Sequence, residues 1–240
     1  MFFTRIPVPR QLPYSKDLLN RALRFFPLVG GVVGVIGIAI FWLALLVFPF
    51  SLALLISMIA TIFVTGAFHE DGFADFCDGY GGGMDKMKIL AIMKDSRLGT
   101  YGTVGLVAML ATKYLSLSEM AVPHVYLALL ASHMFSRLVP VFLVYTTPYI
   151  REDALSKSKP IGNSVSKSSL VIASVTGLIP VCFMSLSFVV VLLVASIFLL
   201  VAFRHYIMKR TGGYSGDVLG ALQQLTEVLF YLLVVTVDCN

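Results

Sequence analysis

FFPLVGGVVGVIGIAIFWLALLVF, Phe25 to Phe48, contains no charged residue. At 1.5 Å rise per residue, about 20 helical residues cross a hydrocarbon core about 30 Å thick, so this stretch reads as a membrane span and not as the core helix of a soluble domain. Six further apolar blocks follow, at 51–68, 101–117, 122–147, 170–186, 188–203 and 218–237. The composition agrees, with 58% hydrophobic residues, 13% charged residues and a mean hydropathy of +0.90. That charged fraction is about half of what a soluble domain carries. The expected fold is therefore an all-α polytopic integral membrane protein with about seven transmembrane helices. A single membrane-embedded domain fills residues 1–240, because no long hydrophilic extension is present. The short block 188–203 also fits a tilted or re-entrant segment.

Orientation follows from the basic residues, which accumulate in cytoplasmic loops. Arg5, Arg10, Lys16, Arg21 and Arg24 precede the first block. Lys86, Lys88, Lys94 and Arg97 lie after the second, Arg151, Lys157, Lys159 and Lys167 after the fourth, and Arg204, Lys209 and Arg210 before the last. Only Lys113 and Arg137 fall inside blocks, and the opposite loops have none. The N-terminus is therefore expected in the cytoplasm and the C-terminus outside. The first block is too long for a signal peptide and lacks a small-residue cleavage site, so it reads as retained. The net charge of +5 is this positive-inside bias, and no aromatic-interleaved basic patch points to nucleic acid. Cys77, Cys182 and Cys239 define neither a disulfide framework nor a CxxC metal site. The Ser/Lys-rich run at 156–169 reads as a loop.

Chemistry must then come from short cytoplasmic segments and helix ends. The richest is HEDGFADFCDG, His69 to Gly79, directly after the second block. On a helix turning about 100° per residue, Asp71, Asp75 and Asp78 fall within an arc of about 60°. Three like charges on one face repel one another, so a cation is expected there. Carboxylate oxygens suit Mg²⁺, Mn²⁺ or Ca²⁺, and the lack of a His/Cys cluster argues against structural zinc. Glu70 lies about 100° off that face and is given a supporting or base role. Gly72 and the run Gly79, Gly81, Gly82 and Gly83 leave room for a phosphate or a second helix. The plainer alternative is an acid-rich helix end solvated at the membrane surface.

Two other segments add to the motif. KDSRLGTYG, Lys94 to Gly102, sets Lys94 and Arg97 one helical turn apart, then places Gly99 and Gly102 at the mouth of the third span. Cations and free backbone N–H groups at a helix start bind phosphate. Taken alone, the two cations are ordinary positive-inside anchors. GGYSGDVLGA, Gly212 to Ala221, sets a glycine-rich turn before Ser215 and Asp217 at the last span, where Asp217 is an N-cap or a site residue. Inside the membrane, Arg137 and His133 read as a polar pair that is either a functional candidate or a structural tie to Glu227, and Lys113 is expected to snorkel toward the outer face.

These segments resemble the adenosylcobinamide-GDP ribazoletransferases, also called cobalamin synthases. The resemblance rests on FFTRIPVP at 2–9, HEDGFADFCDGYGGG at 69–83, ILAIMKDSRLGTYG at 89–102, and GGYSGDVLGA followed by Glu227. It spans nearly the whole chain in the family's order. Cys77 departs from the small residues usual there, and the family's first motif ordinarily has several residues ahead of it. The resemblance implies that adenosylcobinamide-GDP is joined to α-ribazole or its 5′-phosphate, giving adenosylcobalamin or its phosphate and GMP, in the last steps of cobalamin biosynthesis. It implies Mg²⁺ on Asp71, Asp75 and Asp78 with Glu70, and catalytic roles for His69, Glu70, Lys94 and Arg97. Gly81, Gly82, Ser96, Gly99, Ser215 and Asp217 are grouped as substrate-binding. His69 or Glu70 accepts the hydroxyl proton, and the sequence does not choose between them. The site is expected on the cytoplasmic side of the cell membrane, in contact with the lipid bilayer, and a homo-oligomer is allowed.

Two other readings compete. DGFA followed by an acid partly matches the CDP-alcohol phosphotransferase signature, which has Arg where Asp75 stands here. An ion or metal transporter is the rival of another class, yet transporters put their acids at mid-membrane depth, and most acids here are cytoplasmic.

Overall fold

The structure is a computed structural model and describes residues 4–7, 16–150 and 164–238. Arg10, Arg151, Lys157, Lys159 and most of the Ser/Lys-rich run lie outside the described residues, as does Cys239. Helix α1 (Lys16–Ala22) leads through a 3₁₀ turn (Leu23–Phe25) into α2 (Phe26–Leu45), and α3 (Phe50–Thr65) follows. Next come α4 (Phe68–Gly82), α5 (Lys86–Ile92), α6 (Thr100–Ser118) and α7 (Val122–Thr146). The chain ends with α8 (Lys167–Leu178), α9 (Leu186–Arg210) and α10 (Gly216–Leu233), the last extended by a π turn (Val234–Asp238).

Each apolar block thus forms a helix, but the blocks are not equal. Among the described residues, four helical stretches are long and apolar enough to span a membrane: Leu18–Leu45, Val122–Thr146, Leu186–Arg210 and Gly216–Val237. The bent pair α3–α4 makes a fifth if it is counted as one span. The block at 188–203 belongs to a helix that runs on to Arg210, long enough for a full crossing. The short element is α8, which gives way at Pro180 to a 3₁₀ turn because proline cannot donate to the helical ladder.

Helix α7 forms the centre, packed on α2, α8 and α10. In its spanning window 83% of residues are buried, against 22% in α9. In lipid this order is natural: apolar surface is solvated by acyl chains, so α9 can stay peripheral while the helix bearing polar groups is enclosed. The glycines of the opening stretch serve this packing. A Cβ on Gly30 would collide with the His133 carbonyl, so glycine allows α2 to lie directly against α7.

The decisive local feature is the break between α3 and α4. Gly66 (φ 70°) and Ala67 (φ 57°) both adopt left-handed backbone, and the two helices meet at 87°. Gly66 takes this conformation readily, whereas Ala67 does so at a cost in strain. The turn is fixed from outside by Arg5, whose N–H donates to the Val64 carbonyl at 2.8 Å. The acidic motif is helical, as its spacing requires, but on a separate helix lying nearly perpendicular to the second apolar block.

Three neighbours hold α4. It packs on α10 and on α6. At its far end Arg210 donates to the Gly83 carbonyl at 2.6 Å, meeting one of the carbonyls a helix terminus leaves open. The Tyr80 hydroxyl lies 2.7 Å from that of Thr211. The turn before α10 is pinned in turn by a two-residue bridge, in which Ile150 donates to the Tyr214 carbonyl and Tyr214 to that of Pro148.

Candidate active site

Asp71, Asp75 and Asp78 follow one side of α4 by their spacing, but their surroundings differ. Asp71 is exposed, Asp75 half-buried and Asp78 buried. Asp78 Oδ2 accepts the Gly99 N–H at 2.7 Å, and Oδ1 accepts the Gly102 N–H at 2.8 Å. Gly99 is the N-cap of α6 and has no side chain with which to cap it, so Asp78 meets two donors of that helix start. This corrects the expectation that the Gly99 and Gly102 amides stand free for phosphate. The positive end of a helix draws the nearest anion, and here that anion belongs to α4.

Among the described residues, no three or more His, Cys, Asp or Glu side chains are gathered so as to hold a metal ion. Asp71, Asp75, Asp78 and Glu70 therefore form no closed cage. Glu70 turns away, its Oε1 accepting from Gln224 Nε2 at 2.9 Å. Mg²⁺ requires no cage, since it commonly takes one or two carboxylates and completes its shell with water and substrate phosphates. Asp71 and Asp75, one helical turn apart on the less buried stretch of α4, fit that smaller set.

Lys94 and Arg97 do not sit on one helical turn. Helix α5 stops at Ile92 and α6 begins at Thr100, so both cations lie on an irregular connection. Arg97 grips Asp95 with two bonds, Nε to Oδ1 at 3.0 Å and Nη2 to Oδ2 at 2.6 Å. The Arg97 side chain, and then its backbone N–H, hold the Asp95 carboxyl down at about 2. Lys94 and Ser96 are exposed on the same connection. Gly81 and Gly82 form the exposed last turn of α4, and the Tyr101 ring lies where a Gly81 side chain would project.

At α10 the N-cap is Ser215, whose Oγ accepts from the Val218 N–H, so capping does not fall to Asp217. Asp217 is half-buried in the first turn, with Oδ2 3.4 Å from Ser215 Oγ. A Cβ on Gly72 would stand 3.0 Å from the Asp217 Cα and carbonyl oxygen. The glycine after Asp71 thus brings the first turn of α10 against the acidic helix.

Segments 94–102 and 210–217 are thereby joined to α4, and Arg5 braces the turn that leads into it. Residues 1–235 match the model of the Cobalamin-5-phosphate synthase family. The chain belongs to that family. It is 42% identical over 233 residues to the adenosylcobinamide-GDP ribazoletransferase of Vibrio cholerae serotype O1, covering 97% of this chain and 89% of the relative. The enzyme of the same name from Vibrio parahaemolyticus serotype O3:K6 is 42% identical, with 98% and 89% covered. The one from Shewanella frigidimarina is 43% identical, with 100% and 93% covered. No solved structure matches the chain.

In this chain the two residues before Asp71 point inward. His69 is 2% exposed and packs against the Phe26 and Phe68 rings. Glu70 joins a buried chain of polar groups through Gln224, which accepts from Lys113 Nζ. Lys113 Nζ lies 2.9 Å from Glu227 Oε1, and Gln223 Nε2 donates to Glu227 Oε2 at 2.7 Å. Two expectations are corrected here. Lys113 is buried and paired, with no snorkelling, and Glu227 is tied to Lys113 and His133, while Arg137 donates to the His133 carbonyl at 2.8 Å. Asp95, Gln223 and Gln224 were given no role from the sequence, and Arg210 was read only as a loop cation. The two glutamines had a visible signal, since amides inside an apolar span need partners there.

Proposed function

We propose that this chain joins adenosylcobinamide-GDP to α-ribazole or its 5′-phosphate and releases GMP, at the carboxylate side of α4 on the cytoplasmic face of the cell membrane. The names of its relatives support the reaction, and the seating of α4 between α6 and α10, with Asp71 and Asp75 on its less buried stretch, supports the place. The basic residues clustered on the connections around α4 support the side.

In the reaction, a ribose hydroxyl attacks the phosphorus attached to cobinamide. A new O–P bond forms, the bond to the bridging oxygen breaks, and that oxygen leaves as part of GMP. Asp71 and Asp75 would hold Mg²⁺, which when bound neutralises charge developing on the pyrophosphate. Lys94 and Arg97 add positive charge at the rim. The hydroxyl proton leaves to solvent on this exposed side, because His69 and Glu70 face the interior and serve to position α4. Asp78 keeps α6 docked, which fixes the connection bearing Lys94 and Arg97 relative to the carboxylates. A helix at the membrane boundary suits an amphiphilic corrinoid meeting a soluble nucleoside.

The test is turnover by purified protein in liposomes supplied with adenosylcobinamide-GDP, α-ribazole 5′-phosphate and Mg²⁺. The expected result is a corrinoid product and GMP in equal amounts. Absence of both, under conditions where a Vibrio relative is active, would rule the reading out.

A further inference from the structure

Arg137 is the most demanding buried group in the molecule. It is 1% exposed, lies at the centre of the bundle, and forms no ion pair with any carboxylate of the described residues. One guanidinium nitrogen donates to the His133 carbonyl, and the Phe26 ring lies 5.9 Å away. Its Nε has no partner. A buried cation without a counter-charge costs several kcal/mol, so compensation must lie nearby.

Two more buried atoms, Glu70 Oε2 and His69 Nε2, lack partners. Glu70, His69 and Arg137 are lining residues of one cavity of ≈ 20 Å³, to which Thr61, Lys113 and Glu227 also contribute. A buried water needs about 10–15 Å³ and two to four polar partners, and apolar cavities of similar size stay dry. This cavity has the room, and three of its lining residues each carry an open polar atom. Its charges also balance in number, two cations, Lys113 and Arg137, against two carboxylates, Glu70 and Glu227, and the direct ion pair among them is Lys113 with Glu227.

We infer that this cavity binds one structural water, which bridges Arg137, Glu70 and His69 and makes Glu70 the counter-ion of Arg137. The water accepts from Arg137 Nε–H and donates its two hydrogens to Glu70 Oε2 and to neutral His69 Nε2. Every open atom is then satisfied. The consecutive acids Glu70 and Asp71 therefore divide the work. Asp71 faces the reaction, and Glu70 is a positioning residue that locks the first turn of α4 onto α7 through the bridging water and onto α10 through Gln224.

The test is a double-mutant cycle on the full-length protein in detergent, read by thermal unfolding and by turnover. Glu70→Gln leaves Arg137 uncompensated and should lower the unfolding midpoint by on the order of 10 °C. Arg137→Met should do the same by stranding Glu70. Combined, the two substitutions should lose much less than the sum, and turnover should recover relative to Glu70→Gln alone. Additive losses would overturn the inference. So would a Glu70→Gln protein as stable as the parent but inactive, because that pattern marks a group acting on substrate. If the single variants do not fold, a structure of the unaltered protein that resolves ordered waters decides. Density bridging the three atoms supports the site, and an empty cavity or a direct Arg137–Glu70 ion pair overturns it.

Discussion

Asp78→Asn tests whether the third carboxylate of the acidic motif is a clamp or a metal ligand. In the structure its two oxygens accept the Gly99 and Gly102 N–H groups at 2.7 and 2.8 Å, and the side chain is buried. Hydrogen bonds to an ionised group contribute about 1.5–3 kcal/mol each, and a buried donor left unsatisfied costs about 1–3 kcal/mol. Asparagine keeps one acceptor but turns an NH₂ group toward the second N–H, so one bond is lost and one donor stranded. The expected loss is about 2.5–6 kcal/mol. For a chain of this size, each kcal/mol corresponds to about 2–4 °C, so the midpoint should fall by about 5–24 °C. The unfolding can be followed in detergent through the fluorescence of Trp42, the only tryptophan. A variant that unfolds with the parent yet loses turnover would refute the clamp and return Asp78 to the metal site.

Asp71→Asn and Asp75→Asn should behave oppositely. GMP release should fall at least about 100-fold while the midpoint moves by no more than about 2 °C, because neither change empties a buried site. Chelation with EDTA should stop turnover and Mg²⁺ should restore it, as a GMP-release assay before and after dialysis will show. Lys113→Met strands Glu227 inside the bundle and should cost about 3–5 kcal/mol, read as a drop of about 6–20 °C in the midpoint. Asp95 is held at about 2, below its ordinary 3.8, so its clamp on Arg97 is present above pH 4 and is lost only as pH falls through 2. The pH–rate profile of Asp95→Asn between pH 5 and 9 should therefore parallel that of the parent, and a step confined to the parent would contradict this.

Much of the architecture was legible because a membrane imposes a length on apolar blocks, and each of the seven forms a helix. What one block cannot show is its depth in the bundle. The most apolar stretches, such as α9, lie at the periphery, and the polar-bearing α7 occupies the centre. The bend after Thr65 was hidden because Ala67 is an unusual residue for left-handed backbone. At the site, helical spacing showed which acids share a side but not what lies opposite them. Asp78 meets amides from the start of α6, and Glu70 meets a glutamine of α10, so neither contact has a local signature. Lys94 and Arg97 were misplaced for a simpler reason: Gly99 and the Asp95–Arg97 contact favour a turn over a continued helix.

We place the transfer at the side of α4 that bears Asp71. The direct measurement is the rate of GMP release from adenosylcobinamide-GDP, with α-ribazole 5′-phosphate and Mg²⁺, by the parent and by Asp71→Asn in matched liposomes. Release by the parent, with loss in a variant that is inserted and thermally intact, is the predicted result. Equal release from both would contradict the account.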